Sequence, residues 1–394
     1  MIRVFVEPSG RRLAPLDDPP GELLVGNRRL ADWQSDAIRE AGLQRIDTLQ
    51  PPCLVVPDAL FCSGVALERF VDGAAGRDAV LVLARSRFGA STTPIQPDVE
   101  EIEAGWRFAR IRFVSGRDAP PVDVVVDPEE QIHEVKLPAL FGGPTPVALP
   151  RHPVLTVHHW AHLLWANQAA EAMLVRRIPA WRGALRLLWA VIRARSLTMW
   201  RVMARLNTVG RRCNIHPTAV VEASTLGDDV TVGPFARVLM SRVGDGATIM
   251  SGAEVELSTI GAGATVAQRC GLRLCVLYPE AMASQVLMQA CLIGRRTLTV
   301  PGSYSIDLNL DRNIRVALDG ALHDTGTRFL GSAFGHDCRI GTGIWLASGR
   351  TIPSGTVLVR DPDKVVHRIP EIGPDAGPLI TELGTLRPLE RRAG

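Results

Sequence analysis

Lysine is almost missing from this chain. Of 44 basic residues only Lys136 and Lys364 are lysine, so chemistry that needs a lysine amine at a defined loop position has almost no source. No GxxxxGK[ST] run occurs, which excludes a Walker-type phosphate loop. Paired cysteines are missing as well. The seven cysteines (Cys53, Cys62, Cys213, Cys270, Cys275, Cys291 and Cys338) are odd in number, contain no CxxC and sit in apolar surroundings, so they read as reduced, buried thiols. No stretch of about 20 apolar residues is free of charge; the best uncharged run, residues 152–170, carries four histidines and a proline. MIRVFV lacks the basic start and long apolar run of a secretory signal. These absences make a cytoplasmic location the expectation.

What is present is ordinary in bulk. Apolar residues at 46% and charged residues at 22% are those of a folded protein rather than a disordered or fibrous one, and 394 residues suit two or three domains. The net charge of +3 hides an imbalance, because ten arginines and one glutamate fall between His159 and Cys213. No recognised nucleic-acid-binding motif accompanies that charge, so nucleic acid is not expected as a partner.

The clearest pattern is an internal repeat. LGDDVTVGPFARVLMSR from Leu226, VGDGATIMSGAEVELST from Val243 and IGAGATVAQRC from Ile260 follow one another at 17 residues. Aliphatic residues recur within it at spacings of six, six and five: Leu226, Val232, Val238, Val243, Ile249, Val255, Ile260, Val266 and Leu272. That is no helical period. It suits a triangular coil with a short parallel strand on each face, a turn-forming residue at each corner and an inward aliphatic column. The pattern resumes at 329–359 with Ile340, Leu346 and Ile352. Between Leu277 and Thr327 it loosens into weakly phased coils plus an inserted loop. NIHPTAVVEAS (214–224) and the coils after it resemble the hexapeptide-repeat left-handed parallel β-helix, which implies left-handed winding and a homotrimer.

The amino-terminal part alternates strand and helix, as an α/β layer does. A strand and polar loop, IRVFVEPSGRRLAPL (2–16), lead into an amphipathic helix closed by Gly42. PCLVVPDALF (52–61) and DAVLVLARS (78–86) read as strands, and VDVVVDPEEQIHEV (122–135) as a hairpin turning at DPEEQ. From Trp160 to Leu206 the pattern is helical: HWAHLLWANQAAEAMLVRR (159–177) is one helix, and Pro179 starts a second. In the second, Trp181, Leu185, Leu188, Ile192, Met199, Met203 and Leu206 form one stripe with the arginines off it. The expected division is an α/β domain at 1–157, a helical connector at 158–209, a β-helix at 210–375 and a tail at 376–394.

The strand, the VEPSGRRLAPL loop, the ELLVGNRRLADWQSDAIREAGL helix and the PCLVVPDALF strand resemble the sugar-phosphate nucleotidyltransferases. Joined to a β-helix, they resemble bifunctional N-acetylglucosamine-1-phosphate uridyltransferases and nucleotidyltransferase-like subunits. The resemblance implies that Gly10, Arg11 and Arg12 hold the phosphates of a nucleotide sugar or sugar phosphate, and that Asp58 binds Mg²⁺. Where the family has a multi-glycine loop and a lysine, this chain has one glycine and no lysine, which keeps a non-catalytic regulatory or scaffold subunit open as the rival. Many β-helices of this type are acyltransferases whose histidine deprotonates the acceptor of an acyl-CoA. His336 with Asp337 is the candidate for that role, His323 the second, and His216 reads as a turn residue. His158 and His159 have no ligand set beside them and read as caps of the first helix. The Arg- and Trp-rich segment 179–206 has two readings, packing against the body with its arginines in water or peripheral contact with an anionic membrane.

Overall fold

The computed structural model describes residues 2–117, 119–135, 145–176, 180–372 and 379–388. Lys136 and the helix start expected at Pro179 lie outside the described residues. The amino-terminal sheet comprises β1 (Arg3–Glu7), β2 (Gln44–Ile46), β3 (Cys53–Pro57), β4 (Ala79–Ala84), β5 (Val99–Ile102), β6 (Gly105–Val114) and β7 (Val122–Val126). Its order is β7-β4-β6-β3-β1-β2, with β5 also on β6. Every residue of β3 is buried, as are the first five of β4, the mark of central strands covered on both faces. β6 runs antiparallel to β3 and β4, whereas β1 is parallel to β2 and β3, and β7 to β4. The carboxyl ends of β1, β3, β4 and β7 therefore open on one edge.

Helix α1 (Leu30–Glu40) buries Leu30, Trp33, Ala37 and Ile38, the spacing of a single apolar face. Helix α2 (Gly64–Ala74) is capped by Ser63, whose Oγ accepts the Ala66 N–H at 3.2 Å. The hairpin expected at 122–135 does not form. Val122–Val126 pairs with β4, and Glu130–Val135 pairs instead with Thr145–Pro150. The valine run reads equally well as half of a hairpin or as a buried parallel strand, and a free position beside β4 decides between them.

Helices α3 (Arg87–Thr92), α4 (Trp160–Arg176), α5 (Ala180–Ala194) and α6 (Met199–Met203) follow. From Thr208 onward the chain winds as a left-handed parallel β-helix. Two of its faces carry eight parallel strands and the third carries five, extended by a separate strand pair. The register advances by 17 residues, so that Leu226 sits over Val243, Val243 over Ile260 and Ile260 over Leu277. All nine aliphatic residues of the first three coils are at most 1% exposed. The corners are left-handed: Ala223, Met240, Leu257, Leu274 and Ala290 each have positive φ. The residue after the corner stacks too, with the Ser224 Oγ accepting the Ser241 N–H at 3.1 Å and the Ser241 Oγ accepting the Ser258 N–H at 3.1 Å.

Coiling is regular further than the sequence suggests. It continues through Tyr304–Ser305, one residue shorter where Leu277 meets Ile293. The true insertion lies between Ser305 and Ala333 and contains an antiparallel hairpin, Arg315–Leu318 with Ala321–Asp324. Its flanks Ile314 and Val316 are buried in the amino-terminal core together with Tyr278, Ala290, Leu292 and Ala333. Helix α4 lines the same seam. Gln168 Nε2 donates to the Leu257 carbonyl at 2.8 Å, and Glu171 pairs with Arg242 at 2.5 Å.

Three substitutions test the coil packing. Ile249→Ala removes part of the fully buried column and is expected to cost about 2–5 kcal/mol in urea unfolding, while Phe235→Ala, at an exposed corner, should cost under about 0.5 kcal/mol. Gly294→Ala should also destabilise, because its Cβ would lie 2.3 Å from the Gly335 carbonyl oxygen.

Candidate functional site

Charged groups converge where β1 and β3 end. Glu7, the last residue of β1, accepts from Arg110 at 3.0 Å through Oε2 and from Arg112 at 3.1 Å through Oε1. Burial alone would raise its pKa, but the two guanidiniums outweigh burial and hold it below the usual carboxylate value. Arg110 and Arg112 point the same way because they are two apart on β6. They stand at the edge of an irregularity, since Val80 pairs with Arg112 while Leu81 pairs with Phe108. Asp98 lies 3.9 Å from Arg110 and 3.7 Å from His158 Nε2.

Asp58 occupies the turn after β3, and its N–H donates to the Glu7 carbonyl at 3.1 Å. Gln34 of α1 holds that turn, donating to the Asp58 carbonyl at 2.8 Å. Asp58 Oδ2 accepts the Ser9 N–H at 3.0 Å, which fixes the loop carrying Gly10, Arg11 and Arg12. Its Oδ1 is buried without a hydrogen-bond partner, and so is His158 Nε2, which has Asp98 no nearer than 3.7 Å. The segments that carry them run side by side, with the Val157 N–H donating to the Ala59 carbonyl at 2.8 Å. A cavity of about 530 Å³ is lined by Arg85, Ser86, Thr93, Val99, Glu101 and Trp106, none of them a member of the cluster.

The expected phosphate loop is tied down. Gly10 is left-handed, with φ 64°. Arg11 reaches Asp319 of the β-helix insertion at 3.2 Å, and Arg12 pairs with Asp17 at 3.1 Å. Beyond them Asp18 enters the seam, where its Oδ2 meets Arg295 at 2.5 Å and His336 Nε2 at 3.1 Å. The Ser354 hydroxyl donates to the Pro15 carbonyl at 2.9 Å.

That seam accounts for His336. Its Nδ1 accepts the Arg295 N–H at 2.8 Å, which leaves Nε2 to carry the proton facing Asp18. Both ring nitrogens are engaged within the chain. Asp337 points elsewhere, holding Arg296 at 2.7 and 2.8 Å, and His323 lies on the exposed insertion hairpin opposite Val316. The three residues suggested for acyl transfer are therefore not brought together around an open space. His216, as expected, closes a local turn with Thr218 at 2.8 Å.

The cap of α4 uses His159 as expected, but His162 in place of His158. His162 Nδ1 accepts the N–H groups of His158 and His159, both at 3.2 Å, and His159 Nδ1 accepts that of Ala161. The His158 ring turns to the ionic cluster instead. Sequence reasoning missed Glu7, Asp98, Arg110, Arg112 and His158 as site residues. The alternating arginines of RFARIRF (107–113) were the available signal. Among the described residues no group of three His, Cys, Asp or Glu side chains could hold a metal. Asp58 offers a single carboxylate, its Oδ2 accepting the Ser9 N–H and its Oδ1 buried, where Mg²⁺ commonly takes one or two carboxylates plus phosphate oxygens and water.

No protein-family model matches this chain, and no curated protein matches it either. Among solved structures, a Bacillus cereus protein carrying an assigned description of acetyltransferase aligns at 14% identity over 38% of this chain and 77% of its own, with a TM-score of 0.16.

The histidines at the α4 cap make stability pH-dependent. Burial lowers His158 and His162 to about 4 and His159 to about 3. Unfolded histidine takes up its proton near pH 6.5, so the unfolded chain binds more protons between that value and the folded ones. Their contribution is complete above pH 6.5 and falls as pH drops toward 4, by up to about 1.4 kcal/mol per pH unit for each histidine. Unfolding free energies measured from pH 7.5 to 4.5 should show this loss, and His162→Gln should flatten the slope by about one proton.

Proposed function

We propose that this chain is a transferase-like protein of sugar-nucleotide metabolism that binds a nucleotide sugar or sugar phosphate at the carboxyl edge of its α/β sheet. The observation that carries the reading is the pair of buried, unpartnered atoms, Asp58 Oδ1 and His158 Nε2, within a cluster that also holds Arg11, Arg110 and Arg112. A buried polar atom without a partner costs roughly 1–3 kcal/mol, and a ligand that supplies the partner recovers it. Guanidiniums suit phosphate because their fork matches its oxygens. Ligands of open α/β sheets generally bind outside the carboxyl ends of the strands. Bound Mg²⁺ would neutralise phosphate charge. Asp58 would hold it, the arginines would orient the phosphates, and the neutral His158 would donate or accept one hydrogen bond.

The rival is a non-catalytic subunit, favoured by one observation. The 9–18 loop is anchored to the β-helix through Asp18 and Ser354, and its Arg11 is held by Asp319, so it is not free to wrap a triphosphate. Acyl transfer from acyl-CoA by His336 would first require the Asp18 contact to open.

Thermal-shift and calorimetric titrations with nucleoside triphosphates plus Mg²⁺, nucleotide sugars and sugar phosphates test the proposal. At a hundred times Kd a ligand adds about 2.7 kcal/mol of stability. Asp58→Asn should remove any Mg²⁺-dependent part of the binding, and Arg110→Ala should weaken the phosphate ligand at least about tenfold. Absence of binding by every nucleotide and sugar phosphate would sink the proposal. Binding with no turnover on adding the second substrate would select the non-catalytic subunit.

A further inference from the structure

Helices α5 and α6 carry a large apolar surface that the fold leaves open. At 100° per residue, Trp181, Leu185, Leu188 and Ile192 fall within about 60° of one another, and Arg182, Arg186 and Arg193 form a second row beside them. The expected packing of this stripe against the body does not occur. Trp181 is 61%, Leu188 56%, Ile192 63% and Leu197 88% exposed, and Met199 and Trp200 continue the surface. In α5 only Ala190 is buried among the described side chains. A 15-residue helix is marginal without a partner for its apolar face.

The charge on this surface is equally unpartnered. Arg182, Arg186, Arg193, Arg195, Arg201 and Arg205 are all exposed, and none makes an ion pair among the described residues, whereas Arg211 and Arg212 just beyond them pair with Asp228 and Asp229. The sequence has no acidic residue between Glu171 and Glu222. Arg182 and Arg193 lie over the rings of Trp181 and Trp189 at 5.0 and 4.6 Å, keeping cations along the rim of the apolar face.

We propose that the exposed face of α5 and α6 docks on an anionic lipid surface and lies in the headgroup plane. Three observations select this occupant. The apolar face with tryptophan matches the acyl boundary, and the arginine row matches anionic headgroups. α5 is only about 22 Å long, short of the roughly 30 Å hydrocarbon core, and among the described residues no helix is long and apolar enough to cross a membrane. A second copy suits the surface poorly, because joining like faces brings together six unpaired arginines from each chain with no carboxylate between them. The proposal is independent of the ligand assigned to the α/β edge.

The test is co-flotation of the full chain with phosphatidylcholine vesicles and with vesicles in which a third of the lipid is phosphatidylglycerol. The chain should float with the second kind only, and raised salt should release it. Arg186→Ala with Arg193→Ala should weaken partitioning about 25-fold, at about fivefold per guanidinium, and Leu188→Glu should abolish it. Unchanged melting temperatures would confirm that these exposed positions leave the fold intact. Equal flotation on both vesicle kinds, or flotation on neither, overturns the proposal. Loss of flotation together with a solution mass that falls on Leu188→Glu assigns the face to a second copy instead.

Discussion

The coil-to-coil register of the β-helix is the constraint on which the rest depends. Each short strand takes its hydrogen bonds from the coils above and below, so a coil can change length only at a corner or by leaving the stack altogether. The aliphatic column, the left-handed corners and the Ser224–Ser241–Ser258 ladder all express that one rule. It also explains the insertion. Residues after Ser305 leave the stack, return at Ala333 in register, and in between reach the other domain.

Because the stacked wall is rigid, the α/β domain has a fixed surface to pack on. Tyr278, Leu292 and Ala333 from the coils share a core with α4 and the first strands, and the Tyr278 hydroxyl accepts the Leu24 N–H at 2.9 Å. The polar part of the seam is concentrated at Asp18. A buried carboxylate is tolerated when it is paired and hydrogen-bonded, and Arg295 and His336 supply both. The histidine placed at a coil corner thus works between domains, and the loop before Asp18 carries Arg11 to the mouth of the ionic cluster. The β-helix insertion reaches that loop through the Asp319 pair with Arg11.

Much of the fold was legible. The nine column residues, the α/β character of the first part and the break after the coils follow from periodicity, because stacked coils require aliphatic residues at a repeated spacing. Asp58 was legible as a strand-end acid. The role of the β6 arginines was not, because their partner Glu7 lies 103 and 105 residues away. Nor was the environment of His336, since its partner Asp18 is 318 residues away. The α5 stripe was legible as amphipathic, but amphipathicity states only that a helix needs a partner.

The sequence by itself determined the coil, its period, its inward column and the concentration of arginine in one segment, since these depend on neighbours a fixed number of residues apart. Tertiary structure alone decided which polar groups meet. It sent His336 to the domain seam, left Asp58 Oδ1 and His158 Nε2 buried without partners at one edge, and left the α5 face open. Those outcomes depend on contacts between residues far apart in the chain, and no local spacing encodes them.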